Sequence, residues 1–412
     1  MDATQTLAFA GLALAIGEGL RRALPLLVRL NLPGAVLGGL AVAVGCLVAP
    51  TLGLAPPAFD TSAQKPLLVA FFATLGFSAS VPLLRAGGRQ VVVFLALATA
   101  VAILQGVLGM GIAALFGLTP LFGVLTGTAT LAGGPATALA FAPAFEQAGV
   151  SGAAAVGIVA AMGGIVLGGL VGGPLAGRLI GKSSRASSLQ HEHPKSRASS
   201  LPPMHPETRA GSLPQDSSLS GSDLGRDSSR PGALSAAVLL LLVMWGGGFI
   251  SAALTAAGLT LPAYVGAMLA AALLRNAADA LGRPLPLAML EMLGNLALPL
   301  FMAMALMTLD LRQLAGLASP LLVNLAAQTL LVMAVAWWFV PRLMGRDYDA
   351  AVMAGGFTGF MLGTTANAMA VMGTLVQRYG PAPRAYLVAP LVGAFFIDFT
   401  NAIVITVFLN WN

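Results

Sequence analysis

The chain has 412 residues, of which 57% are apolar and 9% charged, with a mean hydropathy of +0.88. A soluble domain carries about a quarter charged residues, so this composition excludes an ordinary water-exposed globule and fits a bilayer. The net charge of +6 and pI near 10.1 would suit a nucleic-acid binder, but the basic residues are scattered at the ends of apolar stretches. That is the pattern of membrane topology, not of a nucleic-acid patch.

Taken in chain order, apolar stretches of roughly 18 residues or more recur along the whole length, each able to cross a ~30 Å hydrocarbon core. The first follows Asp2 rather than a basic flank, so it reads as a retained span and not a signal peptide. The first half predicts spans near 5–20, 33–53, 66–84, 90–117 and 150–180, with a re-entrant hairpin near 120–146. The second half predicts spans near 234–257, 261–276, 285–308, 317–340 and 384–409, with a hairpin near 349–376. Cys46, the single cysteine, lies inside an apolar span, so no disulfide framework exists.

The halves share one register. Phe71 pairs with Phe301, Gly133 with Gly363 and Gly163 with Gly393, each 230 positions apart. Two halves with interrupted hydrophobic segments in matching places are the sequence sign of a secondary transporter with a site near the midplane. The predicted fold is therefore an all-α integral membrane protein: two inverted-topology repeats, residues 1–180 and 233–412, each of five spans and one re-entrant hairpin. Between them, 181–232 is rich in Ser, Pro and charge and has nothing to bury, which predicts a disordered linker. His191, His193 and His205 all fall there, and read as part of a solvated tether rather than a metal site.

Placing that linker in the cytoplasm puts every Lys and Arg inside except Lys65 and Arg312, as the positive-inside rule demands. Five spans per half then invert the second repeat and leave both termini outside.

The first hairpin, TPLFGVLTGTATLAGGPATALAFAPAF (119–145), interrupts an apolar run with Gly127, Gly133, Gly134 and Pro135, and carries Thr130 and Thr137. The second, DAAVMAGGFTGFMLGTTANAMAVMGTL (349–375), carries Thr358, Gly363, Thr364, Thr365 and Asn367. Such breaks are tolerable at membrane depth only where protein or water receives the freed backbone groups. Freed N–H groups attract carboxylates, while carbonyls and Thr or Asn oxygens suit Na⁺. Small residues ordinarily serve close helix packing. Two such runs at matched positions, both with hydroxyl or amide side chains, point instead to a binding site.

Asp398 lies well inside the last predicted span, beside Thr400 and Asn401. A carboxylate there is expensive and marks function: a Na⁺ ligand, with Thr400 and Asn401, or a titrating relay for H⁺. Glu18 and Arg21, three apart, read as a local ion pair, and Glu291 and Asn295 share one face at the opening of a span. Thr74, Ser78 and Ser80 form a polar patch in the third span. No basic residue lies inside a span, so an anionic substrate would be held by hairpin dipoles, hydroxyls, amides and a co-bound cation. An enzyme would need a nucleophile with its base or a metal cluster, and none is legible; no organic cofactor is expected. A passive channel wants rings of charge or a carbonyl filter, which two inverted repeats with one buried acid do not supply.

At these residues the chain resembles the bacterial glutamate:sodium symporter family, over nearly all its length outside the linker. The likeness is strongest in LLVAFFATLGFSASVPLLRAGGR (67–89), LFMAMALMTLDL (300–311), Asp349 to Asn367, and LVAPLVGAFFIDFTNA (387–402). The resemblance implies inverted repeats with two re-entrant loops, a homodimer in the bacterial inner membrane, and an elevator-like symport of glutamate with Na⁺ from a site at the hairpin tips. One departure stands out. The family's first tip reads like Ser-Gly-Gly-His-Gly-Thr-Gly, and here it is Ala132-Gly133-Gly134-Pro135-Ala136-Thr137-Ala138. An altered tip leaves room for another small carboxylate, or for coupling to H⁺.

Overall fold

The computed structural model describes residues 1–30, 32–190, 232–256, 261–314 and 316–411, whose regular structure is all helical with no strand among them. The first part comprises α1 (Ala3–Ala23), α2 (Pro25–Arg29), α3 (Gly34–Val48), α4 (Gln64–Gly76) and α5 (Val81–Leu115). It continues through α6 (Pro120–Val124), α7 (Gly134–Gln147) and α8 (Ala153–Gln190). The second part comprises α9 (Ala233–Ala256), α10 (Ala263–Ala280), α11 (Leu287–Met307), α12 (Ala318–Trp338) and α13 (Val340–Met344). It ends with α14 (Tyr348–Met361), α15 (Thr365–Tyr379), α16 (Pro383–Leu391) and α17 (Ile397–Asn410).

Among the described residues, seven segments are long and apolar enough to cross a membrane: Ala3–Ala23, Gly34–Leu52, Gly87–Leu115, Ala153–Gly181, Ala233–Ala256, Leu287–Met307 and Ala318–Met344. They coincide with seven of the ten expected spans. The other three differ in form. The expected span at 66–84 is not one helix, because α4 ends at Gly76 and Ser80 is extended before α5 begins. The expected span at 384–409 is broken by a π-helical turn at Val392–Phe396. That at 261–276 is the helix α10, with Arg275 and Asp279 near its end. The helix α8 also runs to Gln190, past the expected boundary at 180; this stretch holds no proline before Pro194. The rest of the linker, with its three histidines, lies outside the described residues.

The break between α4 and α5 shows how freed backbone groups are satisfied. Asn276 on α10 donates from Nδ2 to the Ala79 carbonyl at 2.7 Å and accepts the Val81 N–H on Oδ1 at 2.8 Å. The Ser80 hydroxyl donates to Asp279 at 2.8 Å, and Arg275 pairs with the same carboxylate oxygen at 2.9 Å. Pro82 cannot donate to a helix continuing from α4, and the polar end of α10 replaces what that continuation would have supplied.

The two helix pairs at 120–147 and 348–379 occupy the middle of the molecule. Leu121 through Ala132 are all buried, as are Ala350 through Gly363. Leu12, Leu241, Trp245, Phe249, Leu322 and Leu330 lie on the outside, each more than half exposed. In water that apolar surface would aggregate; in a membrane it faces lipid. Small residues bring the central elements together. A Cβ added to Gly123 would stand 1.9 Å from the Gly109 carbonyl oxygen, so α6 and α5 touch backbone to backbone.

Candidate functional site

Each central pair turns at a break written in its sequence. In the first, helical geometry fails at Gly127 (φ −103°, ψ −107°), the chain turns through Ala132 and Gly133, and α7 starts at Gly134. Gly134 has φ +72°, a conformation that costs a residue with a Cβ about 1–2 kcal/mol. Pro135 falls in the first helical turn, where its missing N–H has no intrahelical partner to lose. In the second pair, α14 ends at Met361, and Thr364 caps α15 by accepting the Asn367 N–H on its hydroxyl at 3.3 Å.

The turns meet. The Cβ position of Gly134 lies 3.0 Å from Thr364 Cγ2 and 3.3 Å from the Gly363 carbonyl oxygen. Beside this contact opens a cavity of about 660 Å³ lined by the first turns of both α7 and α15. Gly133, Ala136 and Thr137 face it from one pair and Gly363, Thr364, Thr365, Ala366 and Asn367 from the other. The first N–H groups of a helix lack intrahelical acceptors and carry the positive end of its dipole, so two positive ends address one space. Asp398, in the first turn of α17, lines the same cavity.

The second turn is anchored from behind. Thr365 donates to the Gly393 carbonyl at 3.0 Å, in the π-helical turn before α17. Asn367 Nδ2 donates to the carbonyls of Ile165 on α8 and Gly359 on α14, both at 3.1 Å. Much of the remaining wall is apolar, with Phe71, Phe72, Leu298, Met302 and Phe360. Phe72 stacks on Tyr264 at 3.9 Å, and Phe141 meets Tyr264 edge-on at 6.1 Å. Tyr264 and Phe141 line a second cavity of about 760 Å³. This aromatic group therefore stands between two cavities.

Of the residues singled out from the sequence, Gly133, Thr137, Gly363, Thr364, Thr365, Asn367 and Asp398 share the cavity lining. The others lie elsewhere. Gly134 makes the turn contact, Thr130 donates to the Gly127 carbonyl, and Thr358 bonds back to the Ala354 carbonyl. Thr400 donates to the Ile397 carbonyl and accepts from the Thr99 hydroxyl at 3.2 Å. Asn401 accepts from the Thr128 hydroxyl at 2.6 Å and donates to its carbonyl at 3.1 Å. Asp398, Thr400 and Asn401 are thus engaged in three different places. Glu18 and Arg21 form the expected ion pair, at 3.4 Å, and that pair also lines the cavity. Glu291 and Asn295 are exposed.

Behind the first turn lies a buried cluster without formal charge that the sequence reading passed over. Gln105 on α5 donates from Nε2 to the Met361 carbonyl at 2.9 Å. Gln328 on α12 donates from Nε2 to the Gln105 carbonyl at 2.8 Å and to Asn324 Oδ1 at 3.3 Å. Asn324 in turn donates to the Thr126 hydroxyl at 2.7 Å. The signal was there, as lone amides in spans otherwise apolar.

Residues 1–381 match the family described as sodium/glutamate symporter. The chain is 37% identical over 412 residues to the sodium/glutamate symporters of Escherichia coli (strain K12) and Shigella flexneri, covering 99% of this chain and 98% of each relative. It is 32% identical over 405 residues to the sodium/glutamate symporter of Haemophilus influenzae, covering 98% of this chain and 96% of that one.

Proposed function

This chain belongs to the sodium/glutamate symporter family, a family of transporters and not of enzymes, and on that footing we propose that it carries glutamate across the membrane with Na⁺ by alternating access. The observation that carries the assignment of the site is the meeting of two helix N-termini and the Asp398 carboxylate in a single cavity, whose other carboxylate, Glu18, is paired with Arg21. Glutamate presents two carboxylates and one ammonium. The first turns of α7 and α15 each offer N–H groups and a positive dipole end to a carboxylate, and Asp398 opposes the ammonium. The apolar wall of Phe71, Phe72 and Met302 packs the methylene chain between them.

Tight packing of the two turns would close the substrate off on one side, and the layer Phe72–Tyr264–Phe141 would close the other. Transport needs these barriers to open in alternation. The constant 230-residue offset supports two inverted repeats, with the pairs at 120–147 and 348–379 as re-entrant hairpins moving together in an elevator-like step. Under the same reading the linker is cytoplasmic, the termini lie outside, and the protein works as a homodimer in the inner membrane.

The cavity assignment is tested by protection. In a Cys46→Ala background, Ala136→Cys should react with a water-soluble thiol reagent, and Na⁺ plus glutamate should slow that reaction severalfold. Unchanged reactivity in a protein that still transports would remove this cavity from the substrate path.

A further inference from the structure

Gln105 and Gln328 are both wholly buried, and the side-chain oxygen of each has no hydrogen-bond donor among the described residues. An orphaned amide oxygen costs about 1–3 kcal/mol, so a pair in one cluster asks for an occupant. Neither amide is free to turn over. The Gln105 and Gln328 N–H groups point at carbonyl oxygens, of Met361 and of Gln105 itself, and a flip would set oxygen against oxygen. Gln328 Nε2 also gives to Asn324, so both its N–H bonds are spent.

The hydrogen-bonded members of the cluster are amides, a hydroxyl and backbone carbonyls, all uncharged and rich in oxygen. The Thr126 hydroxyl already gives its proton to the Phe122 carbonyl. Gly127 leaves helical geometry here, and its Cβ position lies 2.7 Å from the Gln105 carbonyl oxygen and 3.0 Å from Gln328 Nε2. The backbone break therefore adjoins the Gln105 backbone and the Gln328 side-chain amide, which the Gln328–Gln105 hydrogen bond joins. An excess of acceptors beside an interrupted helix repels an anion and suits a small cation. Gln105 lies well inside the span Gly87–Leu115 and Gln328 inside Ala318–Met344, away from the ends of both.

We propose that Gln105 Oε1 and Gln328 Oε1, beside the backbone break at Gly127, form a binding site for Na⁺. It rests on the sodium-coupled reading above and deepens it, since none of these residues lines the substrate cavity. Its position gives the ion a way to favour substrate. Gln105 holds the Met361 carbonyl, immediately before the second turn, and Gln328 reaches the first pair through Asn324 and Thr126. An ion gripping both amides fixes both pairs in the arrangement where their turns meet. Na⁺ then tightens glutamate binding, and glutamate tightens Na⁺ binding by the same factor.

The test is thermal melting of the purified full-length protein, with NaCl replacing choline chloride at constant ionic strength. The wild type should gain stability with a saturable Na⁺ midpoint. Gln105→Leu and Gln328→Leu should each raise that midpoint by tenfold or more. Gln328→Glu keeps the size and gives up the Nε2 bonds to Gln105 and Asn324, so it should melt lower without Na⁺, while its added negative charge should lower the Na⁺ midpoint severalfold; it decides the matter should the leucine variants not fold. A saturable wild-type response with an unchanged midpoint in the folded variants would overturn the site, leave sodium coupling standing, and mark the cluster as one that holds only water. The absence of any specific Na⁺ response in the wild type would count against sodium coupling itself.

Discussion

Gly134 and Thr364 touch across the two turns, the Cβ position of one lying 3.0 Å from Cγ2 of the other. They lie 230 positions apart in sequence, and each belongs to the start of a helix whose first turn lines the cavity. The proposed site depends on this contact, because separating the turns would part the two positive helix ends that face one cavity.

Gly134→Ala tests the contact directly. At φ +72° an alanine costs about 1–2 kcal/mol in backbone strain, and its methyl would press Thr364. We expect a melting temperature several degrees lower and a raised KM for substrate. A variant matching the wild type in both would show that the turns tolerate separation.

Asn276→Ala should destabilise the break between α4 and α5. It removes the partners of the Ala79 carbonyl and the Val81 N–H; Ala79 is buried and Val81 exposed, so the cost comes mainly from the carbonyl, at about 1–3 kcal/mol. Thermal melting in detergent would measure this. A loss below about 0.5 kcal/mol would mean that lipid-headgroup water or Ser80 replaces the amide at small cost.

Gly123→Ala should be more severe, since its methyl would meet the backbone of Gly109 at 1.9 Å and no side chain can move aside. The expected outcome is loss of folded protein at the gel-filtration stage. A well-folded Gly123→Ala protein would contradict the close crossing of α5 and α6.

Asp398→Asn separates two roles for this acid. If it opposes the substrate ammonium, the KM for glutamate rises at least tenfold while the Na⁺ midpoint in melting experiments barely moves. A large shift of the Na⁺ midpoint with an unchanged glutamate KM would make Asp398 a sodium ligand instead.

The parts of this architecture that a sequence exposes are those where residue type dictates backbone. Gly133-Gly134-Pro135 and Gly363-Thr364-Thr365 announce turns because glycine, proline and a capping threonine leave a helix few alternatives. Long apolar runs announced seven spans by the thickness of a bilayer. The break at Phe77–Ser80 is hidden, because the apolar pattern runs on through it and its polar partners, Asn276 and Asp279, come from a helix far along the chain. Gly127 marks the break at Leu125–Ala129 but not its π-helical form, and the π-helical turn at Val392–Phe396 is likewise not distinguished from α-helix by its residues. Glu18 and Arg21 were legible as a pair but not as part of the cavity, since only the packing of α1 against α3 and α11 brings them there. Gln105, Asn324 and Gln328 belong to the same class of omission: each is one amide in an apolar span, and their meeting is a tertiary fact.

The central claim is coupled transport, and uptake of labelled L-glutamate into proteoliposomes tests it most directly. With an inward Na⁺ gradient the account predicts accumulation above the external concentration, and none with K⁺ in its place. Equal uptake with either cation, or no uptake by a preparation shown to be folded, would contradict it.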